Sequence, residues 1–386
     1  MHGYFEGTGD AQQNVGNRQC SMESVGMMKL DLSFYKGKKV LITGHTGFKG
    51  SWLSFILHKY GADVVGYSLE PPTKPSLFEI ARIGEKITSY IGDIRDFDHL
   101  LEVFKSERPE VVFHLAAQPI VRTSYEQPVQ TYETNVMGTV NLLECCRLTS
   151  SVKSVVNITT DKVYKNNEWM WGYREDEELD GYEPYSNSKS CSELITACYK
   201  RSFFNELGIP VSTARAGNVI GGGDFSKDRI IPDCVRGAIA GKTIVLRNPN
   251  SIRPYQHVLE PLFAYLFIAS AQYYDQSLAS SYNIGPNESD CATTKRVASL
   301  FCDNWEGASC ESASSSTGPH EANYLRLDNS KARAVLGLSP CMDVECAIKE
   351  TVQWYLAYYD KKDMVDEMER EVERFISNCP FVCIGP

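Results

Sequence analysis

Short apolar runs alternate with longer stretches of helical periodicity along the first half of the chain. The apolar runs are predicted to be buried strands; they are Lys38–Thr43, Asp63–Tyr67, Pro109–Leu115, Ser154–Thr159 and Pro210–Arg215. Between them, apolar residues recur with the spacing of an α-helix, above all in Val129–Leu148 and Glu183–Leu207. Continuous apolar strands that alternate with helices are typical of a sheet covered on both faces. We therefore predict an α/β fold with a doubly wound parallel sheet.

A glycine-rich turn joins the first predicted strand to a helical stretch. Its sequence is Gly44-His45-Thr46-Gly47-Phe48-Lys49-Gly50. Strand, glycine turn and helix in this order are the context of a dinucleotide-binding site, and they make the predicted sheet Rossmann-type. Gly44 allows the tight turn, Gly47 lets the backbone approach a pyrophosphate, and Gly50 permits close helix packing. We expect Thr46 and Phe48 to belong to the same site.

The following strand ends predict the rest of this cofactor site. Neither a ribose-binding acid nor an Arg directly follows the strand at Tyr67, and the missing Arg favours NAD over NADP. Asp93 and its neighbour Ile94 follow the third strand; Asp93 either binds the adenine amino group or begins the next helix. Small residues let a flat cofactor lie close to the backbone, and the fourth strand ends in Ala116, Ala117 and Gln118.

The periodicity changes near residue 215. Beyond it, predicted loops interrupt the regular alternation of strands and helices; examples are Gly221-Gly222-Gly223-Asp224 and Arg247-Asn248-Pro249-Asn250. These loops predict a smaller lobe that lies over the strand ends. Val344–Glu373 reads as a last, strongly charged helical region. We divide the chain into a flexible extension at 1–30, an NAD-binding Rossmann domain at 31–215, and a C-terminal lobe at 216–386. Some segments of that lobe are expected to return to the first domain.

Composition narrows the range of partners. A net charge of −10 argues against general affinity for nucleic acids or anionic membrane surfaces. There is no apolar run of about 18 residues, so no transmembrane helix is predicted. The thirteen cysteines are scattered without metal-ligand spacing. We interpret them as reduced thiols of a cytoplasmic protein and predict no metal site.

Polar residues with catalytic potential follow the strand at Ser154–Thr159. They are Thr160, Asp161 and Lys162, and they should emerge at the carboxyl end of the sheet, where ligands bind in open parallel sheets. Tyr185 and Lys189 lie four residues apart, one turn of helix, so that a Lys ammonium could depress the pKa of the phenol. Such a pair suits a general base for a sugar or alcohol hydroxyl, although the same spacing is common on helix surfaces.

Together, the glycine turn, Thr160-Asp161 and the Tyr185/Lys189 pair resemble the extended short-chain dehydrogenase/reductase family. Within that family the chain is similar to the nucleotide-sugar 4,6-dehydratases, and most similar to the subgroup that acts on CDP-glucose. The resemblance spans about residues 32–359. The stretches that specify the subgroup are Trp171-Gly172-Tyr173-Arg174-Glu175, Ala214-Arg215-Ala216-Gly217-Asn218-Val219-Ile220-Gly221-Gly222-Gly223-Asp224, Arg247-Asn248-Pro249-Asn250 and Arg253-Pro254-Tyr255-Gln256-His257-Val258.

The resemblance implies an internal redox cycle with NAD. Tyr185 would remove the sugar 4-hydroxyl proton while C4 passes a hydride to NAD. Thr160 would hydrogen-bond the same oxygen, and Lys189 would lower the pKa of Tyr185 and hold the cofactor ribose. Asp161 would then protonate the departing 6-hydroxyl, and the hydride would return to C6. CDP-glucose would become CDP-4-keto-6-deoxyglucose and water, which is a lyase reaction.

The role of Lys162 stays open at this stage. Many related dehydratases have a Glu here as the base for C5, whereas a Lys resembles the CDP-glucose subgroup. Lys162 acts as that base only if it is largely neutral. Alternatively it stays charged and stabilises the enolate, or it is a salt-bridge partner.

The resemblance also suggests substrate contacts and an assembly. Arg suits phosphate because its planar fork binds two oxygens. By resemblance, Arg253 and Asn218 are expected to bind the substrate pyrophosphate, and Gln118 and Ser124 to line the hexose pocket. Arg122, Arg229 and Arg326 are further candidates for the pyrophosphate, with a surface ion pair as the alternative for each. Family members commonly form homodimers through two helices of each subunit; here Val129–Leu148 and Glu183–Leu207 are the candidates. Two alternatives remain: a dehydratase or epimerase for another nucleotide sugar, and a non-catalytic NAD(P)-binding regulator.

Overall fold

A parallel sheet of seven strands lies at the centre of the part of the chain that the structure describes, residues 28–313 and 324–385 of a computed structural model. In chain order the strands are β1 Leu30–Asp31, β2 Lys39–Thr43, β3 Asp63–Ser68, β4 Thr88–Ile91, β5 Val111–His114, β6 Ser154–Ile158, β7 Val211–Ala216, β8 Val219–Ile220, β9 Ile244–Leu246, β10 Ile252–Arg253, β11 Gln256–His257, β12 Ser281–Ile284, β13 Ala292–Thr293, β14 Cys310–Ser312 and β15 Val382–Cys383. The spatial order of the central sheet is β12-β7-β6-β5-β2-β3-β4, and every neighbouring pair is parallel. The predicted doubly wound sheet is confirmed.

Helices cover both faces of this sheet, and short two-stranded ladders accompany the loops after β7. The helices are α1 Phe48–Lys59, α2 Leu77–Ile80, α3 Phe97–Glu107, α4 Val121–Glu126, α5 Pro128–Tyr132, α6 Gly138–Leu148, α7 Pro184–Tyr199, α8 Asn205–Leu207, α9 Ile230–Ile239, α10 Leu259–Tyr274, α11 Thr294–Asn304, α12 Val344–Tyr359 and α13 Met364–Asn378. β5, β6 and β7 are buried throughout, which is why they read as unbroken apolar runs in the sequence.

Two apolar clusters pack against opposite faces of the sheet. The larger one gathers α1, α9, α10, α12 and α13 on one face, and the smaller one gathers α3, α6 and the end of the α7 region on the other. α10 is buried on nearly all sides, as expected for a helix in the centre of a large core. The candidate functional residues follow the ends of the strands that these two clusters cover.

Several predicted elements differ in detail from the structure. The predicted helix at Val129–Leu148 begins at Pro128 and contains a π-helical turn at Glu133–Met137. The predicted helical region at Val344–Glu373 is two helices, because the chain breaks after α12 at Asp360. The charged residues cover only one face of α13, since its other face buries residues such as Phe375.

The predicted division into domains remains an interpretation. β12 lies beyond residue 215 and pairs with β7 as the edge strand of the main sheet. The predicted N-terminal extension falls almost wholly on residues 1–27, outside the described residues. No helix within the described ranges is long and apolar enough to cross a membrane, and those ranges contain no cluster of His, Cys, Asp or Glu that could hold a metal ion.

Candidate active site

The glycine turn connects β2 to α1 as the sequence predicts. Gly44 has a positive φ of 77°, a conformation that favours glycine. Gly47 is the N-cap of α1, so the first N–H groups of the helix are directed at the turn. A Cβ on Gly50 would lie 2.1 Å from the carbonyl oxygen of Gly44, so that only glycine allows this close approach. The turn is therefore shaped as an anion cradle at a helix N-terminus.

Side chains of the turn tie it to the end of the next strand. The Thr46 hydroxyl lies 2.9 Å from the Ser68 hydroxyl and donates to the Leu69 carbonyl at 2.8 Å. His45 is fully buried, its Nε2 lies 2.7 Å from Ser89 Oγ, and burial lowers its pKa to about 4. His45 is therefore neutral at physiological pH. Thr46 therefore connects the glycine turn to the end of β3 through hydrogen bonds.

Asp93 occupies the end of β4 but is already paired. Its carboxylate binds the Arg95 guanidinium at 2.6 Å, and this hydrogen bond lowers the pKa of Asp93. Ile94 is buried and would contact any side chain added at Gly138. Asp96, not Asp93, caps α3 through the His99 amide, so the alternative of Asp93 as helix cap is wrong. A role for Asp93 at the adenine remains a prediction.

The segment after β5 lies against the glycine turn. A Cβ on Gly44 would stand 2.8 Å from the Ala116 amide nitrogen, so the two backbones touch. The Gln118 side chain is engaged locally, donating to Thr131 at 3.0 Å and accepting from the Ile120 amide at 2.6 Å. The backbone of Ala116–Gln118 thus borders the predicted cofactor site. The Gln118 side chain, in contrast, forms hydrogen bonds to neighbouring residues of the protein.

A short 3₁₀ turn, Asp161–Val163, presents the catalytic candidates directly after β6. Thr160 caps the turn, and its hydroxyl donates to Asp161 Oδ1 at 2.9 Å. The Lys162 ammonium lies 2.9 Å from the same oxygen and 3.3 Å from Asn218 Oδ1. The Asp161 side chain is 1% exposed, and its Oδ2 has no hydrogen-bond partner among the described residues. The turn therefore pairs a buried carboxylate with a half-buried ammonium.

Tyr185 and Lys189 stand on the first turns of α7. Pro184 begins this helix, and the Glu183 carboxylate caps it by accepting from the Tyr185 and Ser186 amides. The Lys189 ammonium donates to the Ile158 carbonyl at 3.1 Å, which ties α7 to the end of β6. Helix and catalytic turn are thus held together at the strand end.

The acidity of Tyr185 differs from the prediction. Burial raises the pKa of Tyr185 to about 12; a hydrogen bond with Thr160 and the charge of Arg229 act to lower it, while Asp161 raises it. Lys189 is not among the main influences on this pKa, so the predicted depression by Lys189 is wrong here. The reason is that desolvation of the phenol outweighs the neighbouring positive charges.

Arg229 and Lys49 form one charged cluster with Asp161, Tyr185 and Lys189. Arg229 forms an ion pair with the buried Asp224 at 2.9 Å and reaches Tyr185 electrostatically. Lys49, in the first turn of α1, is not among the site residues that the sequence predicts. Burial lowers the pKa of Lys49 to about 7, and the charges of Lys189 and Arg229 lower it further. The one feature of the sequence that indicates Lys49 as a site residue is its position inside the glycine turn.

The remaining predicted substrate residues are distributed unevenly. Asn218 lies beside Lys162, and the buried Arg253 donates to its neighbouring Ile252 carbonyl. Ser124 is fully buried and donates to Glu183, the cap of α7. Arg326 pairs with Glu288 and lies over Tyr324, and Arg122 pairs with Asp228 at 3.7 Å. Arg326 and Arg122 are therefore engaged in ion pairs outside the charged cluster.

Proteins of similar sequence and similar fold identify the family of this chain. Residues 41–351 match the family model described as GDP-mannose 4,6 dehydratase. The chain is 47% identical to a CDP-glucose 4,6-dehydratase from Salmonella typhimurium, over 90% of this chain and 99% of the relative. Among solved structures, it is similar to a UDP-glucose 4-epimerase from Thermotoga maritima with UDP-glucose (TM-score 0.72, 22% identity, 83% of this chain and 99% of the other).

A second similar structure is a dTDP-glucose 4,6-dehydratase from Bacillus anthracis in complex with NAD. It has a TM-score of 0.68 and 22% identity, and the match covers 85% of this chain and 100% of the other. These two structures support the fold, while the family model and the 47% identical relative support the family. The predicted resemblance is confirmed: the chain belongs to the GDP-mannose 4,6 dehydratase family of extended short-chain dehydrogenases/reductases.

Proposed function

We propose that this protein is an NAD-dependent CDP-glucose 4,6-dehydratase, which converts CDP-glucose to CDP-4-keto-6-deoxyglucose and water. The observation that carries the proposal is the 47% identity to the Salmonella CDP-glucose 4,6-dehydratase over 99% of that protein's length. The convergence of Thr160, Asp161, Lys162, Tyr185 and Lys189 at one strand end supports it.

The glycine turn fits NAD. Gly44, Gly47 and Gly50 leave the backbone bare at a helix N-terminus, which suits the pyrophosphate. Bound NAD would supply the hydride acceptor for C4 and later the hydride donor for C6. Lys189 is close enough to the end of β6 to hold a ribose hydroxyl beside Tyr185.

The residues around Tyr185 provide the first proton transfer. Tyr185 takes the proton of the sugar 4-hydroxyl, and Thr160 hydrogen-bonds the same oxygen. Because the pKa of Tyr185 is about 12 in this buried site, proton removal depends on the positive charges around it. Arg229 lowers that pKa, and Lys189 is placed one turn away on the same helix. The charge of Arg229 therefore favours the phenolate that removes the proton.

Asp161 and Lys162 provide both groups that the elimination needs. Their 2.9 Å hydrogen bond lets one proton pass from the Lys162 ammonium to the Asp161 carboxylate. The transfer leaves a neutral amine, which removes the proton from C5, and a carboxylic acid, which protonates the departing 6-hydroxyl. After the elimination the amine is an ammonium and the acid is a carboxylate. When C6 receives the hydride, the Lys162 ammonium returns a proton to C5. The proton that Tyr185 took from the 4-hydroxyl then restores the Lys162 ammonium, so that all three side chains end in their starting states. Among the three roles considered for Lys162, we favour the base.

Cations near the catalytic turn suit the diphosphate of the substrate. Arg229 and Arg253 are buried or half-buried guanidinium groups, and Asn218 is held beside Lys162. A guanidinium binds two phosphate oxygens at once. We therefore assign Arg253 and Arg229 to the substrate diphosphate and Asn218 to orienting Lys162 toward the sugar.

Product identification tests the proposal. The protein is incubated with CDP-, dTDP-, GDP- and UDP-glucose and with GDP-mannose, and products are identified by mass spectrometry and NMR. We expect a 4-keto-6-deoxy product from the CDP sugar, without net consumption of added NAD. Preference for another nucleotide would reassign the substrate. Stoichiometric accumulation of NADH would argue against a dehydratase, and inactivity on every sugar would favour a binding role.

We further propose a homodimer, in which the α5–α6 and α7–α8 regions of two subunits pack together. Large apolar side chains are exposed along these regions: Val129, Met137, Leu194, Phe203 and Leu207. Apolar exposure of this kind marks an association surface. We place the dimer in the cytoplasm, where the free thiols of the described cysteines would stay reduced.

Light scattering at micromolar concentration tests the assembly. Leu194→Arg puts a charge on the exposed face of α7 and should give a monomeric mass. Val245→Arg is the matched control, because Val245 is similarly exposed but lies on β9. A wild-type protein that is monomeric, or a Leu194→Arg variant that stays dimeric, contradicts the proposed interface.

A further inference from the structure

A buried ion pair lies beneath the catalytic turn and touches none of the reacting groups. Glu193 of α7 and Arg215 of β7 have side chains 2% and 3% exposed. Two hydrogen bonds of 2.9 Å join them, from Arg215 Nη2 to Oε2 and from Nε to Oε1. Burial of two charges costs several kcal/mol, and a well-packed apolar pair would stabilise the fold as well. The pair therefore calls for an explanation beyond stability.

Glu193 connects the catalytic helix to the catalytic strand. It follows Lys189 by four residues and Tyr185 by eight, so all three share one face of α7. The Thr159 hydroxyl donates to Glu193 Oε1, and the Thr213 hydroxyl donates to Oε2 at 2.7 Å. Thr159 is the residue directly before Thr160. The carboxylate thus sets the position of β6's end relative to the helix that carries Tyr185.

Arg215 fixes the other end of the same turn. Its Nη1 donates to the Tyr164 hydroxyl at 2.7 Å and to the Glu175 carbonyl at 2.9 Å. Tyr164 directly follows the Asp161–Val163 turn. The ion pair therefore holds the catalytic turn from both sides, through Thr159 before it and Tyr164 after it.

Glu193 also acts on the charge of Lys189. Burial lowers the pKa of Lys189 to about 8, and the negative charge of Glu193 opposes this. Among the described residues, the other titratable groups near Lys189 are Tyr185 on the same face of α7, Lys49 of α1 and His114 of β5. Burial lowers the pKa of His114 to about 3, so His114 is neutral. Lys49 can carry only a positive charge, which does not favour the ammonium form of Lys189. Glu193 is the acidic group among these neighbours.

We propose that Glu193, clamped by Arg215, is a positioning residue of the active site: it aligns the Thr159–Tyr164 segment with α7 and keeps Lys189 in its ammonium form. The catalytic meaning of this role rests on the proposed dehydratase function. The alignment and the charge of Lys189 are properties of the protein itself and can be measured without turnover.

The test compares three variants of the full-length protein as purified. Glu193→Gln keeps the shape and removes the charge; Glu193→Asp keeps the charge; Thr196→Val removes a buried hydroxyl one turn further along α7. Acetylation of Lys189 by acetic anhydride is followed by mass spectrometry across pH, because only the free amine reacts. The wild-type midpoint is expected at about 8. Glu193→Gln should lower it by about one unit or more, whereas the other two should stay near the wild-type value.

Turnover supplies the second readout. Glu193→Gln should lower kcat by roughly 10- to 100-fold through misalignment, with little change in KM, and Glu193→Asp should recover most of the loss. An unchanged midpoint in Glu193→Gln overturns the electrostatic role, and equal kcat losses in all three variants overturn the positioning role.

A double variant covers the case in which Glu193→Gln does not fold. Glu193→Gln/Arg215→Gln replaces the ion pair by two amides, so that no unpaired charge is buried. A Lys189 midpoint that stays at about 8 in this protein overturns the proposal. Acetylation requires no substrate, so a wild-type enzyme that fails to make the 4-keto product leaves this measurement valid.

Discussion

Replacement of Gly50 by Ala is expected to damage both the fold and NAD binding. The added methyl would stand 2.1 Å from the Gly44 carbonyl oxygen and 2.7 Å from His45 Cα. Both neighbours are backbone atoms, which cannot rotate aside as a flexible side chain can. Since non-bonded carbon atoms are in optimal contact at about 3.5–4.0 Å, the glycine turn must move away from α1 by about 1 Å.

The size of the effect follows from that displacement. Forced overpacking of a methyl in a well-packed core costs about 1–3 kcal/mol of the free energy of unfolding. The same shift moves the turn amides away from the pyrophosphate position. A loss of about 2 kcal/mol in binding raises the Kd for NAD roughly 30-fold. The Gly50→Ala variant should therefore unfold at a lower urea concentration than the wild type and bind NAD more weakly.

The Gly47→Ala variant tests NAD binding separately from the stability of the fold. The nearest atom to a Cβ at Gly47 is the Gly44 carbonyl oxygen at 3.4 Å, and the backbone there is extended. Stability should therefore change little, while the methyl occupies the space that the pyrophosphate needs. Gly285→Ala is a further control, because its Cβ would meet the Leu327 side chain only at ordinary distance.

Calorimetric titration with NAD and urea unfolding measure both quantities. A Gly50→Ala variant with the stability and Kd of the wild type would refute the packing argument. A Gly47→Ala variant that binds NAD normally would refute the assignment of this backbone to the pyrophosphate.

Three further variants test individual groups. Asp161→Asn should lower product formation by roughly 10²- to 10⁴-fold while oxidation at C4 continues, so that absorbance of reduced nicotinamide accumulates on mixing with CDP-glucose; normal product yield would exclude Asp161 as the acid. Lys162→Met should abolish deuterium uptake at C5 from heavy water, measured by mass spectrometry, and persistent uptake would identify another base. Burial raises the pKa of Glu260 to about 7 from an ordinary value of 4.5, so in that interval the folded state binds more protons than the unfolded state and stability falls as pH rises through it. Glu260→Gln removes this loss and should be more stable than the wild type by about 3 kcal/mol at pH 8 and equally stable near pH 4; urea unfolding at both pH values checks this, and equal stability at pH 8 would contradict the reasoning.

The fold class and the local motifs follow from the order of amino acids alone. Unbroken apolar strands at β5, β6 and β7 reveal a sheet covered on both faces, because burial of both faces leaves no polar positions. The glycine turn and the Tyr185/Lys189 spacing are local patterns of backbone freedom and helical period. Such features are readable because they depend on neighbours along the chain.

The way in which distant residues combine depends on the packing of the folded chain. Arg229, Asn218 and Lys49 come from separate segments, yet they meet Tyr185, Lys162 and Lys189 at one strand end. The pairing of Glu193 with Arg215 likewise depends on which strand packs beside α7. The pKa of Tyr185 differs from the sequence-based prediction for the same reason. Its pKa is set mainly by desolvation, and desolvation depends on everything that surrounds the phenol in three dimensions.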